Sequence, residues 1–327
     1  MKTKKSIILT GLRRFSLLIV IFFLFIIFWL IEPAFGSGSN IINILREASI
    51  QGVLAIGLTY VVISGEIDLS FGAAASLASV LAVLFLTFRN VGLNLWIAWP
   101  LILIVTTIVG YFNSLIVVKL KIPSLLGTIG SWLVIGGITA LVTKGTTIWT
   151  SRYAPAFEVP GRLKLFGLIP FPIIILLIVA IVSVIILQFT RLGRYFYAVG
   201  GNKSAAIHVG INVDRIKTLA YILLGFLAGI AGITMASMFA SSTPTVGQQF
   251  FFPAIISVFL GSIFLKDGIP NIAGTIVASL FLAVISNGFN LIGLQFWYVN
   301  ITQGILMIFA IAMIQILSGK EIKGVKM

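Results

Sequence analysis

The sequence predicts an all-α polytopic membrane protein of about ten transmembrane helices, and three observations carry that prediction. The 327 residues are 59% hydrophobic and only 9% charged, with a mean hydropathy of +1.17. No soluble domain of this length hides so much apolar surface. Apolar runs recur at lengths near the ~20 residues with which a helix crosses a ~30 Å hydrocarbon core. Unbroken runs such as Ile173 to Leu187 lack the alternation of a barrel, and lipid tolerates no other backbone arrangement than helices or a closed barrel.

The expected spans, in order, are 15–31, 47–64, 71–88, 95–118, 123–143, 168–189, 218–240, 250–265, 271–292 and 296–317. The first follows a basic start and precedes Ala34-Phe35-Gly36, which has the outline of a signal peptide. A run from Phe15 to Ile31 exceeds a signal core of ~7–15 residues, so it reads as an uncleaved span. Gly72, Ala73, Ala74, Ala75, Ser76, Ala78 and Ser79 open the third span, and Gly225 and Gly229 make a small-xxx-small step in the seventh. Such residues let helix backbones approach closely. The segment from Lys144 to Ile169 carries Pro155, Pro160, four basic residues and one acid, Glu158. It is either a docking surface for an outside partner or a solvated loop.

Between the sixth and seventh spans lies a polar island, Thr190 to Lys217, which holds the chain's single His208. Within it, Asn202 reads as an N-cap, Lys203 to Val209 as about two helical turns and Gly210 as the stop. Ala205 and Ala206 are expected to leave one side of this helix flat, a knob for a groove in a partner protein. With the N-terminus inside, Lys2, Lys4, Lys5, Arg13, Arg14, Lys119, Lys121, Arg191, Arg194, Lys203, Arg215, Lys217, Lys266, Lys320, Lys323 and Lys326 fall inside. Only Arg46, Arg89, Lys144, Arg152, Arg162 and Lys164 fall outside. Basic residues favour the cytoplasmic side, so both termini and the island are expected there. The net charge of +14 is mainly this topological signal and calls for no nucleic acid.

The whole chain, 1–327, reads as one membrane domain around the island at about 190–217. A faint internal repeat is present. Asn113 and Asn287 are 174 residues apart, each in the second half of a span, and Thr128-Ile129-Gly130 and Thr302-Gln303-Gly304 share that offset. The corresponding spans would run in opposite directions, as in inverted-repeat transporters.

No catalytic constellation emerges. There is no Cys and one His, so no zinc site of the usual kind is expected. No Gly-x-Ser-x-Gly elbow and no phosphate-binding Gly-x-x-x-x-Gly-Lys-Ser/Thr occurs, so an energy source must lie elsewhere. The chain is expected to be no enzyme and to hold no cofactor or metal. In Ser64-Gly65-Glu66-Ile67-Asp68-Leu69-Ser70, either Asp68 or Ser70 caps the next helix, or Glu66 and Asp68 make a paired acid site. Asn113, Asn287, Asn290, Gln303 and Gln315 lie in apolar surroundings. Amides there bond between helices or line a path for a neutral hydroxyl-rich solute, because they donate and accept without charge. An ion-gradient-driven secondary transporter of a small neutral solute is the alternative, but it calls for intramembrane charges, which are scarce.

Several motifs together resemble the membrane permease of ribose-type ABC importers, the group that includes galactose, xylose and autoinducer-2 permeases. Gly65-Glu66-Ile67-Asp68-Leu69-Ser70 with Gly72 is similar to the family's Gly-Gly-Ile-Asp-Leu-Ser-x-Gly. Asn113 with Lys121-Ile122-Pro123-Ser124 and Thr128-Ile129-Gly130 resembles a second stretch. Gly193-Arg194-Tyr195, Ala198-Val199-Gly200-Gly201-Asn202, Ala205-Ala206 and Gly210-Ile211 resemble the most specific motif, and Gly274-Thr275 with Asn287-Gly288-Phe289-Asn290-Leu291 the C-terminal one. Glu66 departs from the family's second Gly, and so do His208-Val209 and Leu265-Lys266-Asp267-Gly268 from theirs. The resemblance implies a multi-pass subunit of the bacterial cytoplasmic (inner) membrane for a simple sugar. It implies a second permease chain (identical or a sister), a cytoplasmic ABC ATPase and an extracytoplasmic binding protein. It makes the island the ATPase-coupling segment, with Arg194, Gly200, Gly201, Asn202, Ala205, Ala206, Gly210 and Ile211 as its residues. Asn113, Asn287 and Asn290 become candidates for the substrate pathway.

Overall fold

The computed structural model describes residues 4–87, 94–150, 155–167, 169–266 and 268–318. Lys2, Arg89, Arg152, Asp267, Lys320, Lys323 and Lys326, which enter the topological and family arguments above, lie outside the described residues. The helices are α1 (Lys4–Ile31), α2 (Gly38–Ile63), α3 (Phe71–Thr87), α4 (Leu95–Ser114), α5 (Ser124–Thr143), α6 (Pro155–Arg162), α7 (Phe171–Val184), α8 (Arg191–Gly201), α9 (Lys203–His208), α10 (Val213–Phe239), α11 (Phe251–Lys266), α12 (Ile272–Leu291) and α13 (Phe296–Ser318). Each of the ten expected spans coincides with a helix. Among the described residues, seven of these are long and apolar enough to cross a membrane, and those at 16–31, 71–85 and 248–263 are shorter apolar helices.

The centre is built on α2 and α10, which pack on each other and bury most of their length. Close approach is what their small residues make possible. At the α4–α10 crossing, a Cβ on Gly110 would strike the Tyr221 carbonyl and one on Gly225 would strike that of Thr106. Gly229, the other end of the small-xxx-small step, meets the Thr106 side chain. In lipid no hydrophobic force separates helix from solvent, so this dispersion-rich contact is what holds helices together. Buried polar side chains are paired between helices: Gln51 Nε2 donates to Ser257 Oγ at 2.9 Å, and the Thr59 and Thr275 hydroxyls lie 3.1 Å apart.

The helix plan recurs along the chain. The set α2, α3, α4, α5 has 26, 17, 20 and 20 residues, and α10, α11, α12, α13 has 27, 16, 20 and 23. In the first set α3 packs on α4 and α5; in the second α11 packs on α12 and α13. The sets interlock, with α4 against α10 and α12 against α2.

The segment after α5 is not a plain loop. Its short helix α6 seats on the end of α10, where Arg162 Nε donates to the Met238 carbonyl at 3.0 Å and its guanidinium pairs with Glu158 at 2.8 Å. Strand β1 (Ile148–Trp149) pairs antiparallel with β4 (Ser241–Ser242), and β2 (Lys164–Leu165) with β3 (Ile169–Pro170).

Candidate functional site

The polar island folds as two helices. Thr190 caps α8, its hydroxyl accepting from the Gly193 N–H at 3.4 Å, and Phe196 and Val199 anchor the helix in the core, Phe196 edge-on to Tyr60 with ring centres 5.5 Å apart. The α8 helix was not expected from the sequence, because three of its eleven residues are glycines, which disfavour helix. Asn202 then caps α9, accepting from the Ala205 N–H at 3.0 Å, and Gly210 ends it at φ +79° with its N–H on the Ile207 carbonyl at 2.9 Å. A left-handed stop of this kind favours glycine.

One expectation for the segment needs correction. Ala205 and Ala206 do not share an outer face: Ala206 is 2% exposed and belongs to the main core, while Ala205 is exposed. Neighbouring helical residues point ~100° apart, so one turns in when the other turns out. The outward surface is instead Ala205, Ile207, His208 and Val209, with Ile207 55% and Val209 75% exposed. Arg194 and Gly201 are also exposed, and Ile211 packs partly on the core. Gly200 has an internal role, since a Cβ there would run into the Ile63 carbonyl at the end of α2.

The loop from Ser64 to Ser70 lies against this segment. Asp68, 2% exposed, accepts hydrogen bonds from the Ser70 N–H at 2.6 Å, the Ser70 hydroxyl at 2.7 Å and Asn113 Nδ2 at 3.0 Å. Burial pushes its carboxyl above the ordinary carboxylate range, and the bonds from Ser70 and Asn113 oppose that shift. Glu66 instead forms an ion pair with Lys217. The two acids therefore have separate partners and form no pair; Asp68 turns back on Ser70, the residue before α3. Lys121, Lys203, Asp214 and Lys217 border a cavity of about 270 Å³ between this loop and α9.

The opposite end of the bundle differs. A cavity of about 410 Å³ there is lined by Asn43 and Glu47 of α2, by Gln249, by Ser286 and Asn290 of α12, and by Asn300 and Gln303 of α13, with apolar walls that include Phe239, Phe250 and Phe296. Glu47 is hydrogen-bonded to Ser286. A second cavity, about 270 Å³, shares Asn300 and Gln303 and continues along α13 past Gly304.

The three asparagines chosen from the sequence thus separate. Asn290 lines the polar cavity. Asn287 accepts from Asn40 Nδ2 at 2.8 Å, a bond that ties α12 to α2. Asn113 sits at the other end of the bundle with its amide on Asp68 and Ser70, and only borders an otherwise apolar cleft of about 600 Å³ between α4 and α5. Sequence reasoning passed over Asn43, Glu47, Ser286 and Asn300. A signal was available in their helical spacing: 43 with 47, 286 with 290, and 300 with 303 each put two polar groups on one face of an apolar helix.

A family model described as the permease component of branched-chain amino acid transport systems matches residues 40–311. The ribose import permease protein of Haemophilus influenzae is 34% identical, covering 91% of this chain and 91% of its own length. That of Bacillus subtilis is 33% identical, covering 89% of each. The xylose transport system permease protein of Haemophilus influenzae is 29% identical over 85% of this chain and 89% of its own. No solved structure matches.

Proposed function

We propose, from the premise that this chain belongs to the family of transport-system permease components, that it forms the pathway by which a binding-protein-dependent ABC importer takes up a simple sugar. It is a transmembrane subunit and no enzyme; ATP hydrolysis belongs to a separate chain. The family description mentions branched-chain amino acids, but the full-length relatives carry ribose and xylose in their names. The polar cavity supports the sugar reading. Its amides and hydroxyl give donors and acceptors with a single carboxylate, a lining suited to a neutral polyol and poorly suited to a zwitterion.

The observation that carries the proposal is α9: its root is fixed by Ala206 and the Asn202 cap, while Ile207 and Val209 on its outer side are exposed, as are Arg191 and Arg194 on the preceding helix and Lys203. We assign this face to the ATPase, which places it and both termini in the cytoplasm. The polar cavity then opens toward the side where a binding protein delivers substrate. A second permease chain, identical or a sister, is assigned to α5 and α13. These bury least of their surface among the long apolar helices, and Gly130, Gly136, Gly137 and Gly304 leave them open to close approach. The recurring helix plan is read as an inverted repeat about the coupling segment.

The test is reconstitution in liposomes with a cognate ATPase and binding protein. Uptake of ribose or xylose should require all three components and ATP. Uptake by this chain alone, collapsing with an ionophore and indifferent to ATP, would overturn the proposal.

A further inference from the structure

Resting on the importer reading, we infer that the Gly65–Ser70 loop is the element that carries motion from the coupling segment to α5, with Ser124 and Thr128 as its positioning residues. The loop has contacts on both sides of that route. Toward the coupling segment, Gly200 lies against the Ile63 carbonyl, and a Cβ on Gly65 would sit 3.7 Å from the Gly200 Cα. Backbone meets backbone here, so a shift of α8 displaces the loop with no side chain to absorb it. Toward α5, two loop N–H groups donate to side chains of its first two turns: Ile67 to Ser124 Oγ at 3.4 Å and Leu69 to Thr128 Oγ1 at 3.0 Å.

The loop between these contacts is stiff. Asp68 accepts three hydrogen bonds within it and from Asn113, the Tyr221 hydroxyl donates to the Ile67 carbonyl at 3.3 Å, and Glu66 pairs with Lys217. A stiff loop passes displacement on instead of bending. The helix it reaches packs on α3, with Ile135 in a cluster with Ala73 and Leu77 and Trp132 stacked on Phe251. Among the described residues, the side-chain hydrogen bonds that leave α5 come from Ser124 and Thr128, and an apolar cleft of about 600 Å³ separates much of α5 from α4. A displacement of the loop therefore enters α5 at its first two turns. The loop's motif is a prominent feature of the sequence that neither the ATPase face nor the polar cavity uses.

The experiment uses the complete importer in liposomes and reads sugar imported per ATP hydrolysed. Thr128→Val keeps the shape of the side chain and removes the acceptor for Leu69. It should lower the ratio about fivefold, the size of one lost hydrogen bond, with the amount of assembled complex unchanged. Thr128→Ser should keep the ratio. Ser124→Ala, which removes the longer and more exposed bond, should lower it by less, and it serves if Thr128→Val assembles poorly. The chain has no cysteine, so Ile67→Cys and Ser124→Cys can be added to Thr128→Val to replace the lost tie with a disulfide. Oxidation should restore the ratio and a reductant should lower it again, which a merely structural role for Thr128 would not produce. A wild-type ratio in both Thr128→Val and Ser124→Ala, or no recovery on oxidation, overturns the inference. A wild-type complex that hydrolyses ATP without importing sugar overturns the importer reading itself.

Discussion

The two ends of the bundle treat polar side chains in opposite ways. At the coupling end, Asp68, Ser70 and Asn113 form a closed set in which donors and acceptors face one another at 2.6 to 3.0 Å, and Thr128 accepts from the Leu69 N–H beside it. At the other end, among the described residues, the side chains of Asn43, Gln249, Asn290, Asn300 and Gln303 line a cavity and take no hydrogen bond within the chain. Asn113 and Asn287 make the lesson specific. Both lie late in their helices and both are tied to other helices, yet the neighbour of Asn287 one turn on, Asn290, faces open space. What the next helix offers an amide decides whether it locks the fold or remains available to a solute.

The sharpest way to break this contrast is at the locked end. Ala206→Arg would bury a guanidinium without a partner in the main core, at a cost of about 4 kcal/mol or more. Little folded protein should be recovered in detergent. Ala205→Arg, one residue away and exposed, should leave the yield unchanged and abolish uptake by disrupting the ATPase contact. Equal yields for the two variants would mean that α9 is not rooted through Ala206.

A smaller effect is expected at Asn113. Asn113→Leu removes a donor from the buried Asp68 carboxylate, which costs about 3 kcal/mol and should lower the midpoint of thermal unfolding. In an Asp68→Asn background the same substitution should cost at least about 1 kcal/mol less, because no charge is left underserved. Additive effects would show that the two side chains act independently.

Much of the fold was legible in the sequence because lipid makes apolar length a reliable ruler: each expected span falls on a helix. The Asn202 cap and Gly210 stop were legible too, since capping rests on local chemistry. The face of α9 was not. Small residues look alike whether they pack inward or lie flat outward, and only the position of α2 and α10 beneath the segment turns Ala206 in. The pathway residues were hidden for a related reason. An amide in an apolar run is visible from sequence, but its partner lies on a helix far along the chain: Asn40 for Asn287, 247 residues away, and Asp68 for Asn113, 45 residues away. The cavity needs α2, α12 and α13 side by side before Asn43, Asn290 and Gln303 face one space.

The smallest effect should come from the open end, and it sharpens the comparison most. Asn290→Leu and Gln303→Leu remove amides that hold nothing else in the chain, so folding loses no hydrogen bond. Each should leave abundance and thermal stability near wild type, since a surface-like polar-to-apolar change costs within about 0.5 kcal/mol. If sugar hydroxyls pass this lining, each lost partner should lower uptake at limiting sugar about fivefold, the worth of one neutral hydrogen bond, without altering ATP hydrolysis by the assembled complex. Asn287→Leu is the matched control three residues from Asn290. It leaves an Asn40 donor without its acceptor and should reduce folded protein while transport per folded molecule stays near normal. Reversal of that pattern, with Asn287 setting uptake and Asn290 setting abundance, would place the solute path along the repeat position and away from the cavity.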